Sequence, residues 1–175
     1  MQQAETQVQS RMNDLKNVMD DTVNLVRRIA SDLRPSLLDD MGLIAAIEWH
    51  AAEFEKRSGI NIELTGLKED PQLSKNYKIN LFRIVQESIT NVGRHAKATK
   101  VIIDLEVHNN KLILTIKDNG QGFDINAPNM KSNLGLLGMR ERAAVINGSY
   151  ELFSAPQQGT TVQVSVFLPE EGKEL

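Results

Sequence analysis

Residues 1 to about 34 contain no glycine or proline before Pro35, so nothing in them interrupts one long helix. Eight positions follow each other at alternating steps of four and three residues: Val8, Met12, Leu15, Met19, Thr22, Val26, Ile29 and Leu33. This spacing is typical of the heptad seam of a helical bundle. A lone helix cannot bury such a seam. The segment therefore predicts a coiled-coil-like helix that packs against other helices, although it could instead dock on its own domain.

The helical pattern is interrupted at residues 33–43, which have the sequence LRPSLLDDMGL. Proline disfavours helical geometry at the residue before it, and Asp39 or Asp40 is expected to cap the next helix, residues 43–56, which ends before Gly59. We place the domain boundary in this break. The expected divisions are a helical-bundle segment at 1–41, a second domain at 42–170 and a tail at 171–175.

After Gly59 the pattern of strands and helices becomes mixed. Asn109 and Asn110 predict a hairpin turn between two β-rich runs, and residues 121–133 lack periodicity, which predicts a loop. The predicted order is strand 60–64, helix 75–95, strands 101–108 and 112–117, helix 136–146, and strands 150–154 and 160–168. This β-α-β-β-α-β-β order predicts an α+β fold, a two-layer sandwich with helices on one face of a mixed sheet.

Composition excludes several classes of function. The net charge of −3, with 25% charged residues, predicts neither nucleic-acid nor membrane-surface binding, and no run is apolar enough to span a bilayer. The absence of cysteine excludes disulfides and thiol chemistry. The three histidines, His50, His95 and His108, are too widely spaced for a histidine metal cage. We expect Trp49 in the core and His50 on the surface of its helix.

Glu87, Asn91 and His95 are spaced four residues apart on the helix predicted for 75–95, so they form one polar stripe opposite its apolar face. An amide oxygen such as that of Asn91 is a ligand that Mg²⁺ accepts beside waters and phosphate oxygens. Glu87 could orient or deprotonate an attacking group, and His95 could contact phosphate. A solvated polar face is the alternative.

Asp118 directly follows the strand predicted for 112–117 and begins the segment DNGQGF. A carboxylate there can accept from the amino group of adenine, whereas guanine presents an acceptor at that position. Gly120 and Gly122 would let the backbone approach the ring. A plain turn is the alternative, because Asp-Asn-Gly is a strong turn signal.

Gly135 and Gly138, on either side of Leu136, open the next helix, where free N–H groups and the helix dipole favour an anion. The preceding loop would suit a lid over a nucleotide. Thr160, within GTTV at 159–162, is a weaker signal, because such a segment is usually only a hairpin turn.

Taken in order, these segments resemble a known family. ESITNVGRHA at 87–96 is similar to the N box of histidine-kinase ATP domains, DNGQGF at 118–123 to the first glycine box, GLLGMRER at 135–142 to the second, and GTTV to the last. The break at 33–43 resembles the junction between the second dimerisation helix and the ATP domain in the subfamily of bacterial nitrate sensors and thermosensing desaturase regulators.

The resemblance implies an ATP domain of the gyrase, heat-shock chaperone and histidine-kinase superfamily. It implies that Asp118 binds adenine, that Asn91 coordinates Mg²⁺ and that Glu87 assists phosphoryl transfer. The four glycines, Gly120, Gly122, Gly135 and Gly138, would shape the contacts to ATP and the lid. The implied reaction moves the γ-phosphoryl group of ATP to a histidine on the first dimerisation helix, and then to an aspartate of a response regulator.

The departure from the family pattern concerns the phosphoryl acceptor. Residues 1–42 contain no histidine, so the family's acceptor motif is absent. We therefore expect a fragment that binds ATP without autophosphorylating, with the first helix and the sensor region as missing partners. The full-length protein is expected to be a homodimer with a cytoplasmic catalytic portion, and any membrane contact would come from missing segments. The alternatives are an ATPase or an anti-sigma serine kinase of the same superfamily, and a non-catalytic interaction module.

Overall fold

The structure, a computed structural model, describes residues 35–127 and 133–168. The predicted heptad helix and the C-terminal tail lie outside these residues. Three helices are described: α1 at Pro35–Ser58, α2 at Lys75–Asn91 and α3 at Leu134–Val145. Among the described residues, none of the helices has the length and apolar content that a bilayer crossing needs.

The strands form one five-stranded sheet in the order β1-β2-β3-β5-β4. Strand β1 pairs with β2 in parallel, and the other three pairings are antiparallel. This arrangement confirms the predicted mixed sheet. The strand bounds are Asn61–Gly66 for β1, Lys100–His108 for β2, Lys111–Asp118 for β3, Ser149–Ser154 for β4 and Thr160–Phe167 for β5.

Burial alternates along the central strands, which places the helices on one face of the sheet, as predicted. In β3, Leu112, Leu114 and Ile116 are buried, whereas Ile113 and Thr115 between them stay partly exposed. The buried residues of β2 and β5 follow the same period of two, and they join residues of all three helices in one core. Asp118 continues the buried face of β3, so the strand itself directs this carboxylate towards the helices.

The turn between β2 and β3 has the predicted form. Asn109 and Asn110 have φ angles of 49° and 60°, which are typical of the two central residues of a type I′ turn. The turn sets a register in which His108 pairs with Lys111 and Val101 with Asp118. It therefore fixes where Asp118 stands relative to the start of β2.

The predicted helix at 75–95 changes its winding before it ends. The regular helix stops at Asn91, and Val92–Ala96 continue as a single π-helical turn that ends at Lys97, with φ of 51°. A Cβ atom on Gly93 would lie 2.9 Å from the Phe54 ring, so glycine permits the close packing of this turn against α1. Short π-helical segments are frequent at functional sites.

Asp70 caps the second half of α1, which the sequence did not predict; the predicted caps, Asp39 and Asp40, have side chains outside the described part of the chain. Helix α1 is broken at Gly42, which has φ of +85°. Just after this break, the backbone N–H groups of Leu43 and Ile44 donate to the two carboxylate oxygens of Asp70, at 2.8 and 2.7 Å. A distant loop residue thus caps the second half of α1. As predicted, the helix ends at Ser58, followed by Gly59 with φ of +71°.

The expectations for Trp49 and His50 were both wrong. Trp49 is 39% exposed, whereas the His50 ring packs edge-on against Phe82 with ring centroids 5.8 Å apart. The pKa of His50 is lowered to about 4, mainly by burial and to a smaller extent by the nearby cations Arg57 and Arg83. His50 is therefore a neutral packing residue of this helix at physiological pH.

Candidate functional site

A cavity of about 320 Å³ lies between α2 with its π-helical turn, α3, and strands β3 and β5. Six of the ten predicted site residues line it: Asn91, His95, Asp118, Gly122, Leu136 and Thr160. They come from all four predicted sequence boxes, which are separated by tens of residues along the chain. The fold therefore brings them to one place, and a cavity of this size is typical of a small-molecule site.

Asp118 is the charged group in the wall of this cavity, and its residue is only 4% exposed. One carboxylate oxygen accepts from the backbone N–H of Gly120 at 2.7 Å, and Thr160 donates to the carboxylate through both its hydroxyl and its backbone N–H. Burial raises the pKa of Asp118 above its usual value, and these hydrogen bonds offset only part of the rise. The carboxylate is thus fixed in position and incompletely solvated.

The glycines of the loop at 118–122 admit neighbouring backbone, a contact that the sequence did not predict. A Cβ atom on Gly120 would lie 2.3 Å from the carbonyl oxygen of Ala96. A Cβ atom on Gly122, which has φ of +57°, would lie 2.1 Å from the carbonyl oxygen of Ala155. The loop is therefore packed between the π-helical turn and the turn before β5.

Gln121 ties this loop to its neighbours, a role that the sequence did not indicate. Its backbone N–H and side-chain amide donate to the carbonyl oxygens of Ala96 and His95, both at 2.7 Å. Its own carbonyl accepts from the N–H of Gln157 at 2.6 Å. The π-helical turn supplies two of these contacts, so the ends of α2 and β3 are held together.

Asn119 fixes the same loop to the start of β2. Its side-chain oxygen accepts from the backbone N–H groups of Thr99 and Lys100, both at 3.0 Å, and its amide donates to the Thr99 hydroxyl at 2.9 Å. An asparagine in a turn signal is the only sequence feature that could have suggested this. Asp118 is therefore followed in the chain by two residues, Asn119 and Gln121, that are held in place by hydrogen bonds.

The stripe on α2 that faces the cavity differs from the predicted one by one residue. Ser88, Asn91 and His95 line the cavity, whereas Glu87 does not. Glu87 lies beside the start of α3, because a Cβ atom on Gly135 would be 2.3 Å from a Glu87 carboxylate oxygen. The predicted catalytic carboxylate thus stands next to the cavity wall formed by Asn133 and Leu136.

At the N-terminus of α3, the N–H groups predicted to face an anion already have a partner. The side-chain oxygen of Asn133 accepts from the N–H groups of Gly135 and Leu136, both at 3.1 Å. Gly138 faces elsewhere, since a Cβ atom there would lie 2.8 Å from the guanidinium group of Arg142. Leu136 and Met139 are the residues of this box that line the cavity.

Much of the remaining wall is apolar, and the predicted site contained none of these residues. The set comprises Val92, Ala96, Ile116, Phe123, Met139 and Val162. Ile116 and Val162 could have been found from the sequence, because they lie two residues from Asp118 and Thr160 on strands of period two. An apolar cleft with one fixed carboxylate suits a flat heterocycle that carries a hydrogen-bond donor.

The arrangement also fits the chemistry of a magnesium nucleotide. In the described part of the chain no group of three or more acidic or histidine side chains could hold a metal ion by itself. Mg²⁺ is usually bound through one or two protein oxygens together with phosphate oxygens and waters. The Asn91 amide at the cavity wall provides one oxygen of that kind.

Comparisons with known proteins agree with this geometry. Residues 76–172 match the family described as histidine kinase-, DNA gyrase B-, and HSP90-like ATPase. The chain is 35% identical to the signal transduction histidine-protein kinase/phosphatase DegS of Brevibacillus brevis, over 89% of this chain and 40% of the relative. It is 36% identical to the sensor histidine kinase LiaS of Bacillus subtilis, over 96% of this chain and 46% of the relative.

A third curated relative is also a histidine kinase. The oxygen sensor histidine kinase NreB of Staphylococcus carnosus is 32% identical, over 87% of this chain and 44% of its own length. The chain thus spans less than half of each of these three curated relatives.

The histidine kinase AdeS of Acinetobacter baumannii has the same fold, with a TM-score of 0.63 at 16% identity, over 85% of this chain and 81% of that one. The histidine kinase domain of a blue-light activated kinase from Erythrobacter litoralis EL346 gives a TM-score of 0.57 at 20% identity, over 70% and 59%. With the family match spanning more than half of the sequence, the chain belongs to the histidine kinase-, DNA gyrase B- and HSP90-like ATPase family.

Proposed function

We propose that this chain is the ATP-binding catalytic portion of a two-component sensor histidine kinase. The observation that carries the proposal is that Asn91, Asp118 and Thr160, from three separate sequence boxes, line one cavity of about 320 Å³. The family match and the names of the relatives support the same assignment. The reaction would move the γ-phosphoryl group of ATP to a histidine of the first dimerisation helix, and from there to an aspartate of a response regulator.

The base of the nucleotide would occupy the apolar part of the cavity. Asp118 would accept from the amino group of adenine, while Ile116, Met139 and Val162 would contact the ring. Guanine would place its carbonyl oxygen opposite the Asp118 carboxylate, and two acceptors without a shared proton repel each other. The fixed position of Asp118 thus favours adenine over guanine.

The phosphates would lie towards the end of α2 and the start of α3. Asn91 would bind Mg²⁺, which neutralises phosphate charge when it is present, and His95 would contact a phosphate oxygen. The N–H groups of Gly135 and Leu136 would reach phosphate only after Asn133 releases them. Glu87, beside Gly135, would orient the attacking histidine and accept its proton.

The proposal extends to the parts of the protein that act with this domain. We place the partial dimerisation segment at residues 1–41, the ATP-binding domain at 42–170 and a tail at 171–175. The partners would be ATP, a response regulator and the remainder of the kinase, which would form a homodimer. The catalytic portion would work in the cytoplasm, where both ATP and response regulators are found.

Calorimetric titration with Mg²⁺ and a non-hydrolysable ATP analogue tests the assignment. We expect the wild type to bind the analogue and to ignore its guanine counterpart, and Asp118→Asn to lose the binding. Asp124→Asn is the matched control, because Asp124 is an exposed carboxylate outside the cavity whose side chain accepts from Asn126 of the same loop. No binding by the wild type would contradict the proposal, and steady hydrolysis of ATP would favour an ATPase of the same family.

A further inference from the structure

Two polar side chains are buried among the residues that the structure describes, and both line the same cavity. They are Asp118, at 4% exposure, and Ser88, at 5%. The proposed function gives Asp118 a task, whereas it leaves the Ser88 hydroxyl unexplained. Burying a hydroxyl costs free energy unless it forms a good hydrogen bond, so its presence in an apolar wall calls for a reason.

The hydrogen bond that Ser88 makes is a weak one. Its hydroxyl donates to the Met139 sulfur at 3.3 Å, and a thioether is a poor acceptor. Thr90, two residues further along α2, instead donates to the carbonyl oxygen of Gln86 at 2.7 Å, which is the usual use of a hydroxyl within a helix. The Ser88 hydroxyl therefore points to Met139 of α3 and forms only a weak hydrogen bond there.

A bound base would offer this hydroxyl a better acceptor. Adenine carries an unprotonated ring nitrogen on each side of its amino group, N1 on one side and N7 on the other. Asp118 and Ser88 line the same cavity, so a base whose amino group is at Asp118 could present one of these nitrogens to the Ser88 hydroxyl, directly or through one water. A nitrogen lone pair accepts a hydrogen bond far better than a thioether does.

We propose that Ser88 is a specificity-determining residue of the base pocket, whose hydroxyl leaves the Met139 sulfur and donates to a ring nitrogen of adenine, directly or through one water. The inference rests on the proposed function, because it assumes that an adenine nucleotide occupies the cavity. Asp118 then reads the amino group and Ser88 reads an adjacent acceptor. The two buried polar side chains together would recognise one edge of the base.

Deaza analogues of ADP test this directly, because each replaces one ring nitrogen by a C–H group. Calorimetry with ADP, 1-deaza-ADP and 7-deaza-ADP, each with Mg²⁺, would be carried out on the wild-type chain and on Ser88→Ala. We expect the wild type to bind ADP about three- to tenfold more tightly than one of the two analogues, as befits one hydrogen bond. Ser88→Ala should bind ADP no better than that analogue, whose own affinity should not change.

Two further variants make the result specific. Ser88→Cys preserves the size of the side chain with a weaker donor, so it should reduce the discrimination even if alanine disturbs the packing. Thr90→Ala removes a hydroxyl from the same helix outside the cavity and should leave the discrimination intact.

Three outcomes would overturn the inference. These are a wild type that binds all three nucleotides equally, a Ser88→Ala variant that retains the discrimination, and a variant that weakens all three by the same factor. The last would assign Ser88 a purely structural role. A wild type that binds none of the three would overturn the proposed function as well, so the two failures are distinguishable.

Discussion

Asp118 is proposed to bind adenine, but its burial as a charged group destabilises the fold at neutral pH. It follows Leu112, Leu114 and Ile116 on the buried face of β3, and burial raises the pKa of its carboxyl group. A carboxyl group whose pKa is higher in the folded than in the unfolded chain contributes most stability below the unfolded value, about 3.9. That contribution is lost as the pH rises through the folded value. At neutral pH the ionised Asp118 therefore lowers the free energy of unfolding.

Asp118→Asn should remove this pH-dependent cost. We expect the free energy of unfolding of the variant, relative to that of the wild type, to increase as the pH is raised from about 4 to about 8. Urea titrations at several pH values would measure the difference, with Asp124→Asn as the control. A difference that stays constant with pH, or that changes in the opposite direction, would contradict the assigned pKa shift.

The sequence was sufficient for the position of Asp118 but not for the contacts that hold it. Strand periodicity places Asp118 on the same face as Ile116, which any reader of the sequence can deduce. The contacts of Asn119 and Gln121 depend on where β2 begins and on a π-helical turn at the end of α2. Those contacts form only when distant segments meet, so local pattern could not indicate them.

At the scale of the elements, the break in α1 at Gly42 shows the same limit of prediction from the sequence. Gly42 breaks the helix, and a Cβ atom there would lie 2.3 Å from the Asp70 carboxylate that caps the next turn. Lys78 of α2 is 3.0 Å from the same carboxylate. Asp70 is 27 residues from Leu43 in the chain and reaches its free N–H group through the tertiary fold, which no local pattern could indicate.

Asp70→Ala should therefore destabilise this domain. The loss of a helix N-cap typically costs about 0.5 to 2 kcal/mol, and the variant would also leave Lys78 without this partner. Glu69→Ala is the matched control, because Glu69 is an exposed neighbouring carboxylate. Equal unfolding midpoints for the two variants in urea would show that the cap contributes nothing measurable.

The pH dependence of the cap has the opposite sign to that of Asp118. Burial raises the pKa of Asp70, but the hydrogen bonds from Ile44, Leu43 and Lys78 together outweigh it, so the pKa lies below its usual value. The stabilisation is therefore present above the unfolded pKa and is lost as the pH falls through the folded one. The difference between wild type and Asp70→Ala should accordingly shrink in acid.

At the scale of the whole molecule, the chain is much shorter than its curated relatives. The chain spans 40% of DegS, 46% of LiaS and 44% of NreB, so it matches only part of each relative. The proposed site for ATP lies within the described residues, whereas residues 1–42 contain no histidine that could serve as the family's acceptor. We therefore expect this chain to bind the nucleotide without transferring its phosphoryl group to itself.

We therefore predict that this chain does not phosphorylate itself. None of its three histidines lies in the family's acceptor motif. The His50 Nε2 atom is buried, His95 lines the cavity, and His108 ends strand β2. After incubation with γ-labelled ATP, the chain should carry no acid-labile label, whereas a separately supplied first dimerisation helix should acquire one. Asn91→Ala should abolish that transfer because it removes the proposed Mg²⁺ ligand, while Asp124→Asn should preserve it. Stable acid-labile label on the chain itself would refute the prediction and identify a histidine acceptor outside the family motif.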